Sequence, residues 1–151
     1  MIGAETTQLD GQHQALSSIL AAEPITWQSK RQPTVALSTC EAELIGQTQA
    51  TKEAVWLRNL LRELGQEQVN ATVIFGDNQG AIALSKNPHG YHGRSKHIDI
   101  QHKFVTEKVS DGTIDVQWTD TSQMVADGLT KPLSKEAFIR FRRLLGLQPK
   151  N

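Results

Sequence analysis

Between residues 44 and 64 the apolar and small positions Leu44, Ile45, Thr48, Val55, Trp56, Leu60, Leu61 and Leu64 recur at helical spacing, and the pattern stops at Gly65. That periodicity predicts a helix, either continuous or two helices joined near Thr51-Lys52. Its start is marked by Ser38 and Glu41, the spacing of a capping box in which the serine oxygen accepts from the third helical amide and the glutamate returns to the serine amide. Ala71 to Gly76 is β-branched and aromatic enough for a buried strand. Asn78 to Lys86 follows as a short helix halted by Asn87-Pro88. A glycine-containing loop, His89 to Arg94, leads to a helix from His97 to Val109. Thr113 to Thr119 alternates Ile114, Val116 and Trp118 as a half-buried strand. Two further helices are expected, Ser122 to Lys131 and Ser134 to Leu145, the latter with Phe138, Phe141, Leu144 and Leu145 on one face.

The opening stretch follows a different pattern. Pro24 to Gln28 and Thr34 to Leu37 read as short strand pieces, whereas Gln14 to Ala22 sets Leu16, Ile19 and Leu20 at helical spacing. Strands alternating with helices through the remainder predict a mixed α/β layer fold.

Composition narrows the class only modestly. A chain of 151 residues, 38% hydrophobic and 21% charged, is sized for one globular domain with a continuous core. No apolar run is long enough to span a bilayer and the first twenty residues carry no signal-peptide pattern, so the expectation is a soluble intracellular protein, cytoplasmic or nuclear, without membrane contact. The single cysteine, Cys40, excludes an intramolecular disulfide and reads as a packing residue in the first helical turn. Sixteen basic and sixteen acidic side chains cancel, so net charge neither favours nor excludes a nucleic acid.

Three acids stand out by position. Glu43 follows the capping glutamate in the first helix, Asp77 ends the strand that begins at Ala71, and Asp127 lies between the small residues Ala126 and Gly128. An acid at the carboxyl end of a strand in an open α/β sheet is a site candidate on geometry, although Asp77 reads equally well as an N-cap for the helix after it. Glu43 has the competing reading of an exposed helix residue, and Asp127 that of a solvated acid on a late helix. The histidine pairs His89/His92 and His97/His102 lack the closed ligand set zinc requires.

The phrases around these acids, from Trp27-Gln28-Ser29-Lys30 through Val35-Ala36-Leu37-Ser38, Lys96-His97-Ile98-Asp99-Ile100 and Ala126-Asp127-Gly128-Leu129-Thr130-Lys131-Pro132-Leu133, resemble the RNase H domain of copia-type retrotransposon polyproteins. The resemblance runs from about residue 24 to residue 147. It implies an RNase H-like α/β fold, with a mixed central sheet flanked by helices and N-terminal strands truncated or diverged. The division implied is a diverged segment 1–23, a domain 24–147 and a short tail 148–151. The activity implied is metal-dependent hydrolysis of the RNA strand of an RNA–DNA hybrid, with Glu43, Asp77 and Asp127 as catalytic metal ligands for Mg²⁺, or Mn²⁺ in its place. Substrate contacts are expected from Asn78, Gln79, Arg94, Lys96 and His97, against the plainer reading of a solvated basic face. Partners implied are the hybrid or another nucleic acid, with reverse transcriptase or a second copy of the chain as protein partners.

One departure matters. The family's first catalytic aspartate, in a phrase like Asp-Ala-Asp-Trp-Ala-Gly, is not found, and by the usual spacing it would fall at about Met1 or just before. Asp10, the one aspartate upstream of Glu41, has Gly11 as its neighbour and suits a turn better than a strand centre. The alternative expectation is therefore a catalytically impaired relic that binds nucleic acid or protein.

Overall fold

The computed structural model describes residues 2–9, 13–20, 23–31, 36–90, 96–129 and 132–147; the side chains of residues 2–9, 13, 14, 16, 19, 23, 31 and 127 lie outside that description. Strands β1 (Ile2–Leu9), β2 (His13–Leu20) and β3 (Glu23–Arg31) form an antiparallel meander. Helix α1 (Thr39–Glu63) then crosses to β4 (Thr72–Gly76), which pairs parallel with β1. Helices α2 (Gln79–Ser85) and α3 (Lys96–Ser110) lead to β5 (Ile114–Trp118), parallel to β4, and α4 (Lys135–Leu144) ends the described chain. The five strands form one mixed sheet in the order β3-β2-β1-β4-β5. This is the mixed sheet flanked by helices expected of an RNase H-like fold.

Helix α1 is continuous for 25 residues, so the weak point at Thr51-Lys52 does not break it. Thr48 and Thr51 return their hydroxyls to the carbonyls of Leu44 and Gln47, which satisfies two buried polar groups without leaving the helix. Its cap departs from expectation by one residue: Ser38 Oγ accepts from Glu41 N–H, but the Glu41 carboxylate accepts from Leu37 N–H at 2.9 Å. At the other end Gly65, with φ +74°, closes a Schellman motif through Gly65 N–H to Arg62 O and Gln66 N–H to Leu61 O. Arg58 then ties α1 to the entry of β4, donating to the carbonyls of Gln68 and Asn70 and to Thr72 Oγ1.

The main core lies between α1, α3 and the sheet, where Ala50, Ala54, Ile74, Val105, Ile114 and Val116 pack together, all at most 1% exposed. Burying each larger aliphatic side chain there contributes about 1.5–3 kcal/mol. On β2, Ser17 and Ser18 are both fully buried. Successive strand residues face opposite sides, so β2 is covered on both faces. Its packing neighbours are α1 and the 3-10 turn Ala126–Leu129.

Three expectations are corrected. Gln14 to Leu20 is not helical but lies in β2, because its pairing with β1 on one side and β3 on the other outweighs a three-residue helical spacing; Ala21 and Ala22 fall outside the described residues. Ser122 to Leu129 is not one helix but is covered by two 3-10 turns, Thr121–Gln123 and Ala126–Leu129, the first capped by Asp120 accepting from Ser122 N–H; Thr130 and Lys131 fall outside the described residues. Ala36 and Leu37 are not in a strand, and the rest of the Thr34 to Leu37 piece falls outside the described residues, as does most of the His89 to Arg94 loop. Among the described residues no helix is long and apolar enough to cross a membrane.

Candidate active site at the carboxyl end of the parallel strands

The C-terminal end of β4 gathers the chemistry. Gly76 ends the strand, and its carbonyl accepts from Thr119 N–H at 2.9 Å, joining the β4 and β5 exits. Asp77 follows. Its carbonyl accepts from the Trp118 indole N–H at 3.2 Å, and its carboxylate Oδ2 accepts from the Thr121 hydroxyl at 3.1 Å. The N-cap of α2 is Asn78, whose side-chain oxygen accepts from Ala81 N–H at 2.9 Å. That removes the capping reading of Asp77 and leaves its carboxylate facing the loop. The same bond gives Asn78 a structural task alongside the substrate contact expected of it.

Glu43 is not an exposed helix residue: it is 2% exposed, on the buried face of α1. A Cβ built on Gly76 would stand 2.9 Å from Glu43 Oε1, closer than real contacts allow. Glycine thus opens the space that brings the Glu43 carboxylate against the residue directly before Asp77. Beside it lies Gln47, one helical turn on, fully buried, with Nε2 3.5 Å from that same point. Among the described residues, neither its Nε2 nor its Oε1 has a hydrogen-bond partner. An unsatisfied buried polar group costs about 1–3 kcal/mol.

The third acid is placed only by its backbone. Asp127 lies in the Ala126–Leu129 turn, which packs against β1, β2 and β3, so the turn reaches the sheet on the β1 side of β4. The space at Gly128, expected to admit metal and phosphate, is filled from within: a Cβ there would overlap the Phe141 ring of α4. Gly128 therefore serves helix packing.

Of the expected substrate contacts, Gln79, Lys96 and His97 are exposed. His97 sits with Gln101 Nε2 2.7 Å from its ring Nε2. Arg94 lies outside the described residues, as do His92 and Asp10. His102 is buried, with its ring 2.8 Å from Leu84 O, and joins α3 to α2. Among the described residues no group of three or more His, Cys, Asp and Glu is arranged to hold a metal. What the described site offers is two acids at one strand end, a glycine cradle and an orphaned carboxamide. Oxygen donors of that kind suit a hard divalent cation such as Mg²⁺.

Sequence reasoning missed Gln47. It carries no motif, and only its burial beside Glu43 marks it.

Burial raises the Cys40 thiol above its ordinary range, with the charges of Glu41 and Glu43 adding to the effect. The first turn of α1 is thus an electronegative place.

No protein-family model matches the chain. It is 44% identical over 123 residues to the retrovirus-related Pol polyprotein from transposon TNT 1-94 of Nicotiana tabacum, a match covering 82% of this chain. It is 40% identical over 128 residues to the Pol polyproteins from transposons RE2 and RE1 of Arabidopsis thaliana, covering 85% of this chain. The chain spans 9% of the length of each of these relatives. Its homologues are therefore retrovirus-related Pol polyproteins of copia-like transposons, matched over one segment. Among solved structures, T. thermophilus RuvC in complex with a Holliday junction substrate aligns over 100% of this chain and 83% of its own, at 12% identity and TM-score 0.36.

Proposed function

We propose that this chain, homologous to one segment of transposon Pol polyproteins, is a ribonuclease H domain that hydrolyses the RNA strand of RNA–DNA hybrids with Mg²⁺, or Mn²⁺ in its place. The observation that carries the reading is the buried Glu43 carboxylate set against Gly76, the residue that leads into Asp77. Gly76 lets a buried carboxylate from α1 approach the strand end, and the next residue presents a second carboxylate held by Thr121.

Glu43 and Asp77 would hold the ions, and Asp127, in the turn that packs on β1, is the third acid the resemblance implies. Bound ions would activate the attacking water and stabilise the leaving oxygen. The protein's part is to keep the carboxylates close and fixed. Burial restrains Glu43, while Thr121, Trp118 and the Thr119 amide fix the Gly76-Asp77 backbone and carboxylate. Gln79, Lys96 and His97 are the exposed groups available to sugar hydroxyls and phosphates.

The test is cleavage of a labelled RNA–DNA hybrid during Mg²⁺ and Mn²⁺ titration, with Asp77→Asn and Glu43→Gln alongside. Cleavage lost in Asp77→Asn supports the reading. Hybrid binding without cleavage in either metal would instead establish the alternative, an impaired domain that keeps only its nucleic-acid binding.

A further inference from the structure

Resting on that reading, we propose that Gln47 completes the donor set at the acidic site, its carboxamide positioning the Glu43 carboxylate and supplying an oxygen toward the bound divalent cation. Gln47 follows Glu43 by four residues, so the two side chains share one face of α1 and meet the sheet at the same point. Both are buried, at 0% and 2% exposure. The notional Cβ of Gly76 lies 2.9 Å from Glu43 Oε1 and 3.5 Å from Gln47 Nε2, so carboxylate and carboxamide converge on one small space.

What marks Gln47 is that the other buried polar side chains of α1 beside it have partners and it does not. Thr48 and Thr51 bond the carbonyls of their own helix, and Glu43 also has a partner. Gln47 leaves both a donor and an acceptor unused. Buried amides are ordinarily paired, and one left orphaned beside a buried acid at a strand end calls for a ligand that uses both atoms. A cation held by the Glu43 carboxylate would answer both: Oε1 would face the ion, directly or through a bound water, and Nε2–H, which has no acceptor in the structure as it stands, would turn to the carboxylate. A side chain kept only for packing would be better served by leucine or methionine, which fill similar volume without the unsatisfied groups.

The experiment measures Mn²⁺ affinity by the electron paramagnetic resonance of free Mn²⁺, and thermal melting in EDTA, for the wild type, Gln47→Leu, Gln47→Met and Glu43→Gln. The expected result is that the two apolar variants melt at or above the wild-type temperature without metal yet bind Mn²⁺ at least tenfold more weakly. Two apolar replacements of different shape keep the test valid if one packs poorly. Gln47→Glu, which keeps an oxygen in place, should retain wild-type affinity or exceed it. Wild-type affinity in both apolar variants, with binding lost in Glu43→Gln, would overturn the role of Gln47 and leave the acidic site standing. Absence of Mn²⁺ binding by the wild type would overturn both.

Discussion

Gly76→Ala separates the site from the scaffold that carries it. The added methyl would meet Glu43 Oε1 at 2.9 Å and Gln47 Nε2 at 3.5 Å, with Ile82 Cδ1 at 4.0 Å. The carboxylate is the end of a flexible side chain, but at 2% exposure it has little room to retreat. Overpacking of a well-filled interior costs about 1–3 kcal/mol. Replacing a strand glycine recovers about 0.5–1 kcal/mol of backbone entropy. The net loss is then about 1 kcal/mol, or roughly 2–4 °C in melting temperature for a domain near this size. The effect on the site should be much larger than the effect on the fold, because the atom displaced is the ligand itself. In the wild type, Mn²⁺ at a hundred times its dissociation constant should stabilise the native state by about 2.7 kcal/mol. Differential scanning fluorimetry in EDTA and in excess Mn²⁺ reads both numbers from one sample set. Gly76→Ala should melt slightly lower in EDTA and lose most of the Mn²⁺-induced increase. If the increase survives undiminished, the carboxylate beside Gly76 is not a ligand and the site assignment fails.

Other predictions probe single contacts. Gly65→Ala puts a Cβ on a residue with φ +74° and open space around it, so conformation alone is penalised; a loss of about 1–2 kcal/mol in urea titrations is expected. Cys40 should alkylate with a midpoint above the ordinary thiol value of about 8.5, because burial first and Glu41 and Glu43 next disfavour its thiolate. Glu43→Gln should move that midpoint down, and an unchanged profile would show that Glu43 carries no charge near the sulfur. The Asp115 carboxyl is held below its usual range first by the Gln117 side chain at 2.7 Å, against the opposing effect of burial, with Lys86 at 3.3 Å adding to the lowering. A depressed folded pKa contributes stability above the unfolded value that is lost as pH falls through the folded one. Asp115→Asn should therefore flatten the acid limb of the stability curve while costing under about 1 kcal/mol at neutral pH, as befits an exposed pair.

Local chemistry in the sequence was enough for α1, with its Ser38 cap and Gly65 stop, for α2 and α3, for β4 and β5 with their β-branched and alternating residues, and for α4 after Ser134. These elements carry their own boundary signals within a few residues. The same local phrases pointed to Glu43 and Asp77. Tertiary structure decided the rest, because it depends on partners distant in the chain. Residues 14–22 carry helical spacing, yet most of them become the β2 strand through hydrogen bonds to β1 and β3. Gly128 looked like room for a ligand, and a ring from α4 fills it. Gln47 gained meaning only when packing removed water from an amide and gave it no replacement partner. Caps, stops and periodicities are short-range and can be read along a line, whereas burial and register arise only once the chain has closed on itself.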